Sequence, residues 1–393
     1  MSRSRSIVCA GLLLAAVAAA AAETNDFRTF TDTQGRPLRA RIVHADATHV
    51  TLEDEQGAER TVPQERFGDE GRRAIERWLL TRGASARRTP LGAFLAEQGY
   101  GEHALRLDAR GNLMAPGRVN GKVLRFLVDS GASKSALDTA AAAWLGLKAQ
   151  DSPARGYGVG GATSVKQAEA ETVDIGPATL RRVPVTVMDL NRAGLGTAPV
   201  DGLIGADWLD TLRAVVDYGS RTLFLAAGKS APDAGARRAF FKAGGYTGVE
   251  LTASATGQLE VPVLLNGQGT AFVLDTGASR SVIDRATAAL LELPTVPTRT
   301  RGYGVAGTDA SVPCARVEAL VVGRVLTLAN YPLYVMDLDL KRAAADRPAG
   351  AAGSAPPALQ GAIGSDVLTF YAAVLDCTER RVYVKLGRAE KPE

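Results

Sequence analysis

Histidine and cysteine are scarce in this chain, with three of each among 393 residues. The three histidines are His44, His49 and His103, and all of them lie in the first third of the sequence. A zinc site, or a serine or cysteine nucleophile paired with histidine, needs these residue types in clusters. The sequence has no such cluster, so it predicts no metal and no other cofactor.

Long runs of one charge are also missing. The chain has 46 Lys and Arg against 42 Asp and Glu, and its formal net charge is +4. Its basic residues are scattered or occur in pairs. Proteins that bind nucleic acid usually concentrate basic residues in a patch or tail. Nucleic acid is therefore not an expected partner.

Apolar runs long enough for a bilayer are absent after residue 22. Residues 1–22 carry Arg3 and Arg5 and then an Ala- and Leu-rich stretch that ends in small residues. This order is typical of a secretory signal peptide. The alternative is a membrane anchor, but the run is slightly short for a span. We expect cleavage near Ala22, a secreted or periplasmic protein and no stable membrane span.

Two cysteines would remain after that cleavage, Cys314 and Cys377. An oxidising compartment permits a disulfide between them. The sequence gives no distance between them, so two free thiols are an equally good interpretation.

The length predicts two or three domains, the first at residues 23–82. Apolar and polar residues alternate around Gly35 and Gly57, and Ile75 and Trp78 follow at helical spacing. An aromatic residue, Thr-Asp, a glycine turn, two strands and Val-Pro before a helix weakly resemble the SH3-like homology module of an endocytic adaptor. The resemblance implies a small β module. Residues 83–104 are predicted to be a linker, with a short helix at 91–98.

The remainder of the chain is a tandem repeat. Residues 112–129, NLMAPGRVNGKVLRFLVD, align without gaps on residues 258–275, QLEVPVLLNGQGTAFVLD. Both copies place Asn-Gly between apolar runs, which is the strongest short-range signal for a β-hairpin. Further matched segments follow in the same order: 156–159 with 302–305, 187–190 with 335–338, and 202–209 with 361–368.

We interpret this pattern as a duplication, with one repeat at residues 105–227 and the other at 246–387. Residues 228–245 are predicted to be the linker between them. The second repeat is longer because of a Pro-, Ala- and Gly-rich tract at 341–360, which is typical of a surface loop.

Each repeat has an aspartate at the end of an apolar strand. Asp129 begins Asp-Ser-Gly, and Asp275 begins Asp-Thr-Gly. The glycine lets the backbone turn sharply after the carboxylate. One aspartate of this kind carries little information, but two in matched settings suggest a pair that meets.

The combined motifs resemble the retropepsin-like aspartic peptidases in tandem: apolar-apolar-Asp-Ser/Thr-Gly-Ala, a glycine-rich hairpin, then apolar-Ile-Gly-x-Asp. The resemblance implies a mainly all-β fold of two acid-protease lobes, with Asp129 and Asp275 as the catalytic pair. It implies that Ser130, Gly131, Thr276 and Gly277 shape and brace the two aspartate loops. The implied substrate-covering flaps contain Gly156, Tyr157, Gly158, Gly302, Tyr303 and Gly304.

The expected activity is that of an aspartic endopeptidase acting on a peptide or protein substrate. Two adjacent carboxyl groups share one proton and activate a water molecule. The alternative is a non-catalytic peptide-binding or regulatory module on the same fold. Both lobes in one chain favour a pseudo-dimer, although a homodimer stays open. Asp207 and Asp366, which follow the Ile-Gly pairs, are predicted to be helix N-caps.

Overall fold

The computed structural model describes most of the chain. The described residues are 27–45, 49–68, 71, 74–75, 78, 89–108, 110–158, 161–191, 200–226, 233–300, 302–304, 307–309, 311–338 and 359–386. The predicted signal peptide and almost all of the predicted 341–360 loop lie outside these residues. The chain divides into two compact units, Met1–Ser85 and Ala86–Glu393.

The first unit is a four-stranded antiparallel sheet in which each strand pairs with the next. Its core contains Phe30, Phe67 and the helical residues Ile75 and Trp78. The two phenylalanine rings meet edge to face, with their centroids 5.8 Å apart. The strands are β1 (Arg28–Thr31), β2 (Pro37–Ala45), β3 (His49–Asp54) and β4 (Glu59–Pro63), followed by a 3₁₀ turn at Gln64–Arg66.

The second unit contains both repeats. The first repeat, with the segment before it, forms β5 (Tyr100–Ala104), β6 (Arg106–Leu107), β7 (Leu113–Val119), β8 (Lys122–Val128), β9 (Ala136–Asp138), β10 (Gln150–Gly158), β11 (Gly161–Ile175), β12 (Ala178–Met188), β13 (Gly202–Ile204), β14 (Val215–Asp217) and β15 (Thr222–Ala226). The helices of this part are α1 (Pro90–Glu97), α2 (Thr139–Leu145) and α3 (Ala206–Thr211).

The second repeat and the segment before it follow the same order. The strands are β16 (Thr247–Glu250), β17 (Thr252–Ala253), β18 (Leu259–Leu265), β19 (Gln268–Leu274), β20 (Val282–Asp284), β21 (Thr295–Val296), β22 (Gly302–Gly304), β23 (Gly307–Asp309), β24 (Cys314–Val322), β25 (Leu326–Met336), β26 (Leu359–Ile363), β27 (Val374–Asp376) and β28 (Arg381–Val384). The helices are α4 (Ala234–Ala243), α5 (Arg285–Leu290) and α6 (Ser365–Phe370).

Each lobe is a six-stranded barrel. In the first lobe the strands run in the order β11-β12-β9-β13-β8-β7, and pairing of β11 with β7 closes the ring. In the second lobe the order is β24-β25-β20-β26-β19-β18, and pairing of β18 with β24 closes it. The predicted fold class, mainly β with two acid-protease lobes, is confirmed.

The predicted Asn-Gly turns lie where the two hairpins reverse. Asn120 and Asn266 have φ angles of 49° and 47°, and the glycine after each has positive φ as well. Asp138 and Asp284 then cap α2 and α5, each accepting a hydrogen bond from a backbone N–H in the first helical turn. A short helix therefore follows the aspartate loop in each lobe.

A six-stranded sheet joins the two lobes, with the order β16-β28-β27-β14-β15-β5. Its central contact is the antiparallel pair β14 and β27, one strand from each repeat. A continuous apolar core that contains Val216 and Leu375 extends through both lobes. The two repeats therefore pair within one chain as a pseudo-dimer.

The two predicted linkers differ from the structure. Within residues 83–104, α1 begins after Thr89, whose hydroxyl accepts from Gly92, and β5 joins the six-stranded sheet. Within residues 228–245 lies α4, capped by Asp233. The two helices pack together, and the Phe94 and Phe240 rings stack with centroids 4.3 Å apart. Packing of these partly buried rings accounts for the two helices within segments that were predicted to be linkers.

Cys314 and Cys377 are free thiols, of which Cys377 is buried. Among the described residues, none of the helices has the length and apolar character that a bilayer span requires.

Candidate active site

The two aspartates stand at the ends of matching strands in the two barrels. Strand β8 leads to Asp129 and pairs in parallel with β13, while β19 leads to Asp275 and pairs in parallel with β26. The backbone N–H of Asp129 donates to Ile204 O, and that of Asp275 donates to Ile363 O, both at 2.9 Å. The Ile-Gly segment of each repeat therefore holds the start of its aspartate loop.

A reciprocal set of buried hydrogen bonds joins the two loops. The Ser130 N–H donates to Thr276 Oγ1 at 2.9 Å, and the Thr276 N–H donates to Ser130 Oγ at 3.1 Å. The hydroxyls continue into the opposite strands, where Ser130 Oγ donates to Leu274 O at 2.6 Å and Thr276 Oγ1 donates to Val128 O at 2.8 Å. The structure thus brings Ser130 and Thr276 together across the lobe boundary.

The two carboxyl groups meet at the glycines of these loops. A Cβ atom on Gly131 would collide with the carboxyl group of Asp275. A Cβ atom on Gly277 would lie 2.5 Å from the Asp129 Cγ atom. Glycine is needed at both positions because each loop approaches the other lobe's carboxyl group too closely for any side chain.

Burial and mutual contact raise the pKa of both carboxyl groups. For Asp129, burial and the neighbouring charge of Asp275 raise the pKa well above its usual value. Burial also raises the pKa of Asp275, but hydrogen bonds from the Gly277 and Ala278 N–H groups and from Asp129 oppose the increase. The pKa of both carboxyl groups is therefore raised, and the two groups titrate as a coupled pair. A pair arranged in this way holds one proton between two carboxyl groups.

Asp207 and Asp366 do not cap helices, so that prediction is wrong. Gly205 and Gly364 occupy the N-cap positions of α3 and α6. Asp207 instead accepts two hydrogen bonds from Ser135, through its N–H at 2.8 Å and its hydroxyl at 2.7 Å. Asp366 does the same for Ser281, at 2.9 and 2.8 Å. Each carboxylate thus ties the helix after Ile-Gly to the far end of the aspartate loop.

The predicted flap residues form a hairpin in each lobe. In the first lobe Tyr157 pairs with Ala162 and Gly158 with Gly161, at the end of the long β10–β11 ribbon. In the second lobe the short β22–β23 hairpin pairs Gly302 with Asp309 and Gly304 with Gly307. Gly156 lies one residue before the first of these pairs and is half-buried.

Three residues near the dyad were not found from the sequence. The Gln258 side-chain amide crosses to the first lobe and donates to Gly131 O. Tyr218 OH lies 3.1 Å from Ser365 Oγ, which joins the first lobe to α6 of the second. Gln258 and Ser365 occupy the positions of Asn112 and Ala206 in the other repeat, and Tyr218 that of Cys377. Because the two repeats carry different residues at these positions, comparing the repeats could have identified them.

The family comparison agrees with this geometry. A family model described as "Aspartyl protease" matches residues 115–208 and 261–367, one segment in each lobe and about half of the chain. The chain belongs to the aspartyl protease family. A search of curated proteins found no match. No comparison supports the SH3-like resemblance of residues 23–82, which stays a prediction.

Two solved structures resemble the chain at low sequence identity. An aspartic proteinase from Irpex lacteus is 14% identical, with a TM-score of 0.41, and the match covers 74% of this chain and 98% of that one. A retropepsin-like aspartic protease from Rickettsia conorii is 21% identical, with a TM-score of 0.24, covering 32% of this chain and 89% of the other.

Proposed function

We propose that this protein is an aspartic endopeptidase that hydrolyses peptide bonds in extended substrates, with Asp129 and Asp275 as its catalytic residues. The observation that carries the proposal is the meeting of the two carboxyl groups at the lobe boundary. Each is held by its own loop, each contacts the other, and burial raises the pKa of both. A shared proton requires such an arrangement.

The proposed reaction uses the two carboxyl groups in opposite roles. The ionised carboxylate takes a proton from a water molecule, whose oxygen attacks the scissile carbonyl carbon. The protonated carboxyl group donates its proton to the carbonyl oxygen, which gives a neutral tetrahedral diol. When the C–N bond breaks, a diol hydroxyl gives a proton to the ionised carboxylate, and the protonated carboxyl group gives its proton to the leaving amine. The dyad again holds one proton.

The two hairpins supply the proposed substrate-binding parts. An extended peptide can hydrogen-bond through its main chain to strand-like backbone, while side-chain pockets give the sequence preference. The hairpins at Tyr157 and Tyr303 are proposed to close over the peptide and exclude water from the dyad. Because each lobe contributes one hairpin, the proposed cleft has a cover on both sides.

Export is also a proposal, since it depends only on the sequence of residues 1–22. Its test is N-terminal sequencing of the protein recovered from cells and from the surrounding medium. A mature chain that begins near Glu23 is expected. An uncleaved chain beginning at Met1 would contradict the proposal.

The activity is tested with a mixed peptide library analysed by mass spectrometry from acid to neutral pH. Wild type is compared with the double variant Asp129→Asn/Asp275→Asn. The control is Asp337→Asn, which removes a carboxylate that pairs with Arg285 on the surface. Cleavage by wild type and the control, without cleavage by the double variant, is expected. Bound but uncut peptides with wild type at every pH would favour the non-catalytic binding module.

A further inference from the structure

The two aspartate loops rest on different side chains. Beneath the Asp275 loop, Ser365 Oγ donates to Thr276 O at 3.2 Å. Because this bond uses the serine's only hydroxyl proton, Tyr218 OH must be the donor in its 3.1 Å contact with Ser365 Oγ. Both side chains are buried, with 5% of Tyr218 and 2% of Ser365 exposed.

This pair of hydroxyls is connected to the Asp275 carboxyl group through one peptide unit. The C=O of Thr276 and the N–H of Gly277 belong to the same peptide, and that N–H donates to Asp275 Oδ1 at 2.8 Å. Hydrogen bonds in series polarise one another in a buried setting. The series from Tyr218 through Ser365 and the peptide therefore favours negative charge on Asp275.

The first lobe supports its aspartate differently: the Gln258 amide donates to Gly131 O, and the N–H of the same peptide, that of Ala132, donates to Asp129 Oδ1 at 2.9 Å. The backbone shows that the positions are equivalent: Tyr218 N–H donates to Ala373 O, and Cys377 N–H donates to Ala214 O, each at 3.0 Å. Cys377 thus stands in the place of Tyr218, and Ala206 stands in the place of Ser365. Neither residue has a hydroxyl group. Asp129 therefore has one side-chain donor behind one peptide N–H, whereas Asp275 has two hydroxyls in series and accepts from the Gly277 and Ala278 N–H groups at 2.8 and 3.1 Å.

We propose that Tyr218 and Ser365 are positioning residues that make Asp275 the ionised base of the dyad and Asp129 the carboxyl group that carries the proton. The inference rests on the proposed peptidase activity for its catalytic meaning, but the asymmetry of the two carboxyl groups exists without substrate. Titratable groups that act on the Tyr218 hydroxyl are Asp275, Asp129 and Asp366. Asp366 is itself occupied by Ser281 and the Tyr331 hydroxyl.

The test compares Ser365→Ala and Tyr218→Phe with wild type in the full chain. Two quantities are measured: the pH dependence of kcat/KM on a cleaved peptide, and the titration of the aspartate carboxyl carbons by NMR. The matched control is Tyr383→Phe, which removes the hydroxyl of another buried tyrosine. The Tyr383 ring stacks on Phe241, away from the dyad. A reciprocal variant, Ala206→Ser, adds a hydroxyl at the equivalent place under Asp129.

Without the hydrogen bonds from Tyr218 and Ser365, the dyad should bind its second proton at a higher pH. We expect the acid limb of kcat/KM, and the lower of the two dyad titrations, to move to higher pH by about 0.3–1 unit in both variants. Tyr383→Phe should show no shift in either the acid limb or the lower titration. Ala206→Ser should reduce the difference between the two carboxyl groups.

An equal loss of activity at all pH values, with no movement of the acid limb or the lower titration, would show a merely structural role and overturn the inference. If wild type cleaves no peptide, the proposed function fails, but the NMR titration still decides the inference. Should Ser365→Ala not fold, Tyr218→Phe remains decisive because it removes a single oxygen atom.

Discussion

Removing one hydroxyl from the brace between the lobes should cost much of the protein's stability. Thr276 is fully buried, and its hydroxyl accepts from Ser130 N–H at 2.9 Å and donates to Val128 O at 2.8 Å. Thr276→Val keeps the shape of the side chain but leaves the Ser130 N–H and the Val128 C=O without the threonine hydroxyl. Each buried polar group left unpaired costs about 1–3 kcal/mol. The free energy of unfolding should therefore fall by about 2–6 kcal/mol.

The loss is measured by urea unfolding followed by circular dichroism, with peptide cleavage as a second readout. Thr276→Ser is the control, because it retains the hydroxyl and matches the Ser130 of the other repeat. The control should lose much less stability than Thr276→Val. Ser130→Ala should resemble Thr276→Val, and the double variant should cost less than the sum, since both changes disrupt one network. A free energy of unfolding for Thr276→Val within about 0.5 kcal/mol of wild type would refute the reasoning, because that is the size of effect expected of a surface substitution.

Three further predictions concern the dyad and the contact between the lobes. Burial raises the pKa of Asp129, so its ionisation opposes folding at pH values above the pKa of the unfolded chain. Asp129→Asn should therefore raise Tm at pH 7 and lose this advantage as the pH falls towards the unfolded pKa near 3.8. A Tm difference that does not depend on pH would contradict this. Gly131→Ala should lower kcat by at least about 100-fold in a folded protein, because the alanine Cβ atom would collide with the Asp275 carboxyl group. An unchanged kcat would argue against the close approach of the two aspartate loops. Arg237→Met should cost about 3–5 kcal/mol in urea unfolding, because it leaves the fully buried Asp376, 2.6 Å from Arg237, without its cation. Arg285→Met, which removes the exposed pair with Asp337, should cost at most about 1 kcal/mol.

The local features of the fold were predictable from the sequence. Asn-Gly at 120–121 and 266–267 requires positive φ, and an apolar run before Asp-Ser/Thr-Gly places the carboxylate at a strand end. The repeated order of these motifs was sufficient to predict two equivalent lobes. Each of these signals acts within a few residues, which is why the sequence displays it directly.

The contacts between the lobes were harder to predict. Arg237 lies in a segment that looks like a linker, yet it pairs with Asp376 and donates to Tyr100 OH at 3.0 Å. Tyr218 similarly follows β14, whose pairing with β27 joins the lobes, and contacts Ser365 of the other repeat. These partners are about 140 residues apart in the chain. Their meeting depends on the pseudo-twofold packing of two barrels, which a local pattern does not specify.

The most direct test of a dyad shared by the two lobes of one chain uses Asp129→Asn and Asp275→Asn, purified separately and then mixed. We expect each single variant to lose at least about 10³-fold in kcat/KM, because the two carboxyl groups act as a unit. The equimolar mixture should remain inactive, since neither chain contains a complete pair. Full activity in either single variant, or activity that returns on mixing, would contradict the account.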